Sequence, residues 1–242
     1  MHADPIYAVG DIHGQYEMLE TALSAIEADG GPDARIVFLG DLVDRGSGSR
    51  QVIERLMQGQ ADGRNWTVLC GNHDDLFAGF LRTGAVTDDL IKSGVPWTGP
   101  RLGGQATLES YGMQDLDRPP LALWEEAKNA VPAAHLDYLE ALPDYLEHDG
   151  LLFVHAGIRP GVALADQSPD DLKWIRAEFL EDPRPHPWLV VHGHSAVEVA
   201  EHRGNRVNLD SGAGYGRPIT AAVFHQGRVW TLDAMGRVPL EP

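Results

Sequence analysis

Arg35-Ile36-Val37-Phe38-Leu39-Gly40-Asp41-Leu42-Val43-Asp44-Arg45-Gly46 decides the reading of this chain. A short aliphatic run stops at glycine and delivers a carboxylate, a pattern expected of a buried strand with a polar group at its carboxyl end. Desolvating Asp41 there is costly unless a cation or hydrogen bonds compensate it. The same pattern recurs upstream, where Ile6 to Val9 leads into Gly10-Asp11-Ile12-His13-Gly14. It recurs again at Thr67 to Leu69, before Gly71-Asn72-His73-Asp74; at Leu151 to Val154, before His155-Ala156-Gly157; and at Trp188 to Val191, before Gly193-His194-Ser195.

Between these strands, Tyr16 to Ala28 carries Leu19, Leu23 and Ile26 at helical spacing, and Gln51 to Met57 has a similar stripe. The opening third therefore reads β-α-β-α-β. Alternation of this kind favours a parallel sheet whose ligands bind in loops outside the carboxyl ends of the strands. Arg206 to Leu209, Thr220 to Phe224 and Arg228 to Leu232, separated by glycines, read as antiparallel strands of a second sheet. The expected fold class is α/β: a two-sheet α/β/β/α sandwich forming a single domain over 1–242. A candidate cap insertion at about 79–120 is anchored by Trp97 and Tyr111.

Composition bounds the function. With 43% hydrophobic and 23% charged residues the chain has an ordinary globular make-up. Its net charge of −17 opposes stable binding to nucleic acid or to an anionic membrane. No apolar stretch approaches a membrane span, and Met1-His2-Ala3-Asp4-Pro5 lacks the basic and apolar regions of a secretory leader, so a cytoplasmic location is expected. Cys70, the single cysteine, excludes an internal disulfide and a thiolate zinc cage. It reads as a small apolar core residue.

An Asp-x-His triplet arises often by chance, and one histidine at a strand end is commonly a satisfied core residue. Five polar clusters capping successive strands have no such explanation. Their imidazole, carboxylate and amide donors suit borderline divalent metals, Mn first, with Fe, Zn, Co or Ni as alternatives. Three carboxylate or amide oxygens and three histidines exceed one tetrahedral site, so two ions sharing a bridging carboxylate are expected.

In order and spacing, these blocks resemble the calcineurin-like metallophosphoesterases. More narrowly they resemble the bacterial and phage serine/threonine phosphoprotein phosphatases, which have the symmetrical dinucleoside tetraphosphatases as a sister group. Leu172-Lys173-Trp174-Ile175-Arg176 and Leu209-Asp210-Ser211-Gly212-Ala213 look like that family's later blocks. The resemblance implies that Asp11, His13 and Asp41 bind one metal, and that Asp41, Asn72, His155 and His194 bind the other. It further implies that His73 is the general acid beside Asp44, and that Arg45 and Arg176 grip phosphate oxygens. His192 is the poorer candidate beside His194, and Asp74 supports rather than catalyses.

The function implied is hydrolysis of phosphomonoesters by a metal-activated water. The substrate would be a phosphorylated serine/threonine protein or a small phosphoester. A bis(5'-nucleosyl)-tetraphosphatase is the first alternative, against which Asp44 counts because the sister group commonly lacks its equivalent. A phosphodiesterase follows, and a non-enzymatic metal-binding scaffold is disfavoured because every expected catalytic position is filled. The sequence does not choose an oligomeric state.

Overall fold

The computed structural model describes residues 4–91 and 93–242; the first three positions, part of the stretch read for a secretory leader, lie outside the described residues. In chain order the elements are β1 (Ile6–Val9), α1 (Tyr16–Gly30), β2 (Arg35–Phe38), α2 (Ser49–Ala61), β3 (Trp66–Val68) and α3 (Asn72–Thr83). Then come α4 (Gly104–Ser110), α5 (Pro120–Ala130), α6 (Ala133–Glu140), β4 (Tyr145–His148) and β5 (Leu151–Val154). The chain closes with α7 (Pro169–Trp174), α8 (Ala177–Leu180), β6 (Leu189–His192), β7 (Glu201–His202), β8 (Arg206–Asn208), β9 (Ala221–His225), β10 (Arg228–Asp233) and β11 (Gly236–Pro239).

Two sheets face one another, one ordered β11-β10-β9-β1-β2-β3 and the other β4-β5-β6-β8-β7. Strand alternation builds the layers. Ile6 and Ala8 of β1 point between the sheets with Val37, Phe153, Val191 and Val207, whereas Tyr7 and Val9 point outward against α1 through the Leu19, Leu23 and Ile26 stripe. Leu152 and Val154 cover the other outer face with Leu172 of α7, Phe179 of α8 and Ile175 between those helices. The result is the expected α/β/β/α sandwich.

The carboxyl-terminal strands depart from expectation. Of the three runs expected there only β8 enters the second sheet, parallel to β6, while β9 pairs antiparallel with β1 and carries β10 and β11 onto the first sheet. Three glycine-separated runs look alike in sequence; the free edge of β1 decides where two of them go. Residues 79–83, placed at the start of the candidate cap, form the last turns of α3, and Gly84 ends that helix in the left-handed conformation. Among the described residues no helix is long and apolar enough to cross a membrane.

This topology positions the site. β1, β2 and β3 of one sheet and β5, β6 and β8 of the other end at one rim, and each releases a polar loop there. Backbone bonds knit the loops: Ile12 and His13 both donate to Asp41 O, at 3.1 and 2.7 Å, and Gly193 donates to His155 O at 2.8 Å.

Candidate active site

The rim encloses a chamber of about 540 Å³ whose floor includes His13, Asp41, Asn72, His73 and His194. Among the described residues eight non-glycine residues have positive φ, and five of them (His13, Asp41, Asp44, Arg45 and His194) are sequence-expected site residues. Such conformations persist only where surrounding contacts over-determine them, and they cluster where geometry matters to function.

Asp41 lies at the centre. One carboxylate oxygen is 3.5 Å from His13 Nε2 and the other 3.3 Å from His155 Nε2, so its two oxygens face different histidines. Two groups able to hold a metal result: His13, Asp41 and His73, and Asp41, His155 and His194. Asn72 joins the second, its Oδ1 lying 2.7 Å from His194 Nδ1 and 3.0 Å from His155 Nε2. Asp11 joins neither group; both its oxygens accept the His194 backbone N–H, at 3.2 and 3.1 Å. His192 faces away, its ring packed 5.1 Å from Phe179 and donating to Gly193 O.

The donor set fits cations. His155 Nδ1 donates to Leu39 O at 2.8 Å, which leaves its Nε2 a lone pair facing the oxygens of Asn72 and Asp41. Acceptors converging at about 3 Å repel unless positive charge lies among them. Burial holds His13, His155 and His194 below the usual histidine range, so each is neutral near pH 7. Asp11 is pushed above the ordinary carboxylate range by burial and then by the charges of Asp210 and Asp41; Asp210 is raised by burial, with the charge of Asp41 adding to it. A divalent ion relieves that crowding.

Arg45 is the cation now nearest these lone pairs. Its guanidinium donates to His13 Nε2 at 2.6 Å and to His73 Nε2 at 3.2 Å, and lies 5.0 Å from the centre of the Tyr215 ring. Arg176 also lines the chamber and donates to Ser195 Oγ at 3.0 Å. His73 Nδ1 is 2.6 Å from Asp44 Oδ2. With that proton committed to Asp44, Nε2 is the ring atom that faces the chamber.

Sequence reasoning did not assign Asp210, Arg101 and Tyr215 to the site, and all three line it. Asp210 had a usable signal, since it follows β8 as the other clusters follow their strands. Arg101 and Tyr215 arrive on irregular segments and had none.

The chain is 27% identical to the asymmetrical bis(5'-nucleosyl)-tetraphosphatase PrpE of Anoxybacillus flavithermus, over 88% of this chain and 87% of that one. It is 25% identical to the enzyme of the same name from Bacillus mycoides, over 97% and 95%. A crystal structure of a candidate diadenosine tetraphosphatase superposes with a TM-score of 0.67 at 22% identity, covering 98% of this chain and 94% of that one. The cold-active protein-tyrosine phosphatase of a Shewanella species does so at 0.63 and 17%, covering 98% and 80%. At those identities the two structures speak for the fold alone. Residues 4–221 match the calcineurin-like phosphoesterase family, and this chain, a metal-dependent phosphoric ester hydrolase, belongs to it.

Proposed function

We propose that this chain hydrolyses dinucleoside polyphosphates as an asymmetrical bis(5'-nucleosyl)-tetraphosphatase, releasing a nucleoside triphosphate and a nucleoside monophosphate. The similarity to PrpE proteins across nearly the whole of both chains carries this reading. The chamber supports it: beyond the polar floor it extends to Arg101, Trp174 and Tyr215, giving a third guanidinium and two aromatic faces. A serine or threonine phosphate needs neither; a polyphosphate between two nucleosides can use both.

The sequence alone ranks a serine/threonine protein phosphatase first, on Asp44-Arg45 and on the tryptophan-arginine block at Trp174 and Arg176. The similarity to PrpE proteins favours the alternative over that ranking. Asp44 holds His73, and an acid dyad reports the chemistry of a leaving group rather than its identity.

The proposed assignment keeps Asp11, His13 and Asp41 for one divalent ion and Asp41, Asn72, His155 and His194 for the other, with Mn the first choice. When bound, the ions supply charge that polarises the scissile phosphate and lowers the pKa of a water. Arg45 and Arg176 bind phosphate oxygens through planar forks. With Nδ1 held by Asp44 and Arg45 drawn from Nε2 to the phosphate, the doubly protonated His73 ring gives its Nε2 proton to the departing oxygen.

The deciding experiment offers Mn-loaded protein diadenosine tetraphosphate, a phosphoserine peptide and a phosphodiester, with products separated by ion-exchange chromatography. ATP with AMP, and the highest kcat/KM on the tetraphosphate, is expected. Faster turnover of the phosphopeptide would return the assignment to the protein phosphatases, and two ADP would make the cleavage symmetrical.

A further inference from the structure

The segment that joins α3 to α4, together with α4 itself, is wired to Asp44. Trp97 Nε1 donates to Asp44 Oδ2 at 2.8 Å, and Thr107 Oγ1 donates to Asp44 Oδ1 at 2.7 Å. Thr107 Oγ1 also lies 2.8 Å from the Asp44 backbone N–H, and Gly103 O accepts the Arg45 N–H at 3.2 Å. Trp97, Thr107 and Asp44 are all fully buried. The Trp97 ring is fixed between Phe77 and Phe80, with centroids 5.6 and 4.9 Å away.

A carboxylate with two free oxygens can swing about its Cβ–Cγ bond. Asp44 lacks that freedom, since one oxygen is held by Thr107 and the other is shared by Trp97 and His73. The left-handed pair Asp44 and Arg45, at φ 74° and 69°, is pinned by the same segment. We infer that Trp97 and Thr107 are positioning residues for phosphoryl transfer. They fix the Asp44 carboxylate so that His73 keeps its proton on Nδ1 and aims Nε2 at the leaving oxygen. Neither touches substrate. The inference rests on His73 as the acid, and its test separates the two.

The test uses Trp97→Phe, which keeps the ring between its aromatic neighbours and removes the N–H, and Thr107→Val, which keeps the shape and removes the hydroxyl. His73→Asn is the reference and Thr107→Ser the rescue. Mn-loaded proteins are assayed on aryl and alkyl phosphates of graded leaving-group basicity. Trp97→Phe and Thr107→Val should lower kcat on alkyl phosphate roughly 10- to 100-fold, a part of what general acid catalysis supplies. Loss on 4-nitrophenyl phosphate should stay within about threefold, with KM unchanged on both, and Thr107→Ser should restore the wild-type pattern. In the metal-free proteins, ring ¹⁵N–¹H correlations should show the His73 proton leaving Nδ1 in the two variants.

Equal loss on both substrates, with His73 still protonated at Nδ1, would reduce the two residues to packing. If His73→Asn steepens the leaving-group dependence and neither variant does, positioning fails while the acid role stands. If His73→Asn leaves that dependence flat, both fall together.

Discussion

Asp74, in the first turn of α3, accepts the backbone N–H of Leu42 on Oδ1 at 2.9 Å. Its other oxygen takes the N–H of Gly71 at 2.9 Å. One buried carboxylate thus ties the loop that carries Asp41 to the loop that carries Asn72.

Asp74→Ala leaves two buried donors without acceptors, each costing about 1–3 kcal/mol. For a chain of this size that is roughly a 5–15 °C fall in Tm, with a parallel loss of metal affinity as the loops part. Calorimetric melting of the metal-free protein reads the first effect and metal titration the second. An unchanged Tm would show that water replaces the carboxylate.

His155→Ala should reduce metal stoichiometry from two ions per chain to one. Its affinity loss should exceed the roughly 10- to 100-fold expected when an outer partner of a ligand is removed. His192→Ala should leave metal binding intact, because that ring packs on Phe179 outside both groups. Titration calorimetry with Mn separates the two variants, and equal metal loss in both would overturn the choice of His194 over His192.

His73→Asn should lower kcat on an alkyl phosphate by about 10²- to 10⁴-fold, while metal content per chain stays that of wild type. Full activity on that substrate would remove His73 from the chemistry. Loss of metal together with activity would instead make it a ligand, as its nearness to His13 and Asp41 also allows.

Away from the site, Asp29 accepts from Tyr7 OH at 2.7 Å and from Arg237 Nη2 at 2.7 Å. The Arg237 hydrogen bond, aided by Tyr7, holds its carboxyl below the usual range despite partial burial; Tyr7 is pushed up to about 12 by burial and then by Asp29. A depressed carboxylate contributes stability above its unfolded pKa of about 4, lost as pH falls through the folded value. Tyr7, being raised, contributes below about pH 10 and loses that contribution as pH climbs through 12. Asp29→Asn should therefore melt a few degrees lower at pH 7, for about 0.5–1 kcal/mol in a partly solvated pair. The gap should close below about pH 4, and one that persists undiminished at pH 3 would assign it to packing.

Much of the site was legible because each expected ligand directly follows a strand, so local sequence carried the pattern. His13, Asp41, Asn72, His155 and His194 lie close together at the rim, and Asp11 reaches them through the His194 N–H. Asp44's partners were not legible. Trp97 and Thr107 stand 53 and 63 positions away, and no periodicity links them to it. The sheet membership of β9 and β10 was hidden for a similar reason, since pairing is settled by a distant partner strand and not by a strand's own composition.

The hydrogen bonds from residues 97–107 to Asp44 and Arg45 bear on how this protein could be re-engineered. A loop overhanging a chamber invites treatment as an interchangeable part, to be swapped for another loop with a different taste in substrates. Here the exchange would carry off an indole and a carbonyl that the loop below relies on, and would shift the helix that bears the hydroxyl of Thr107. Any graft must reproduce all three anchors before its own selectivity can be judged.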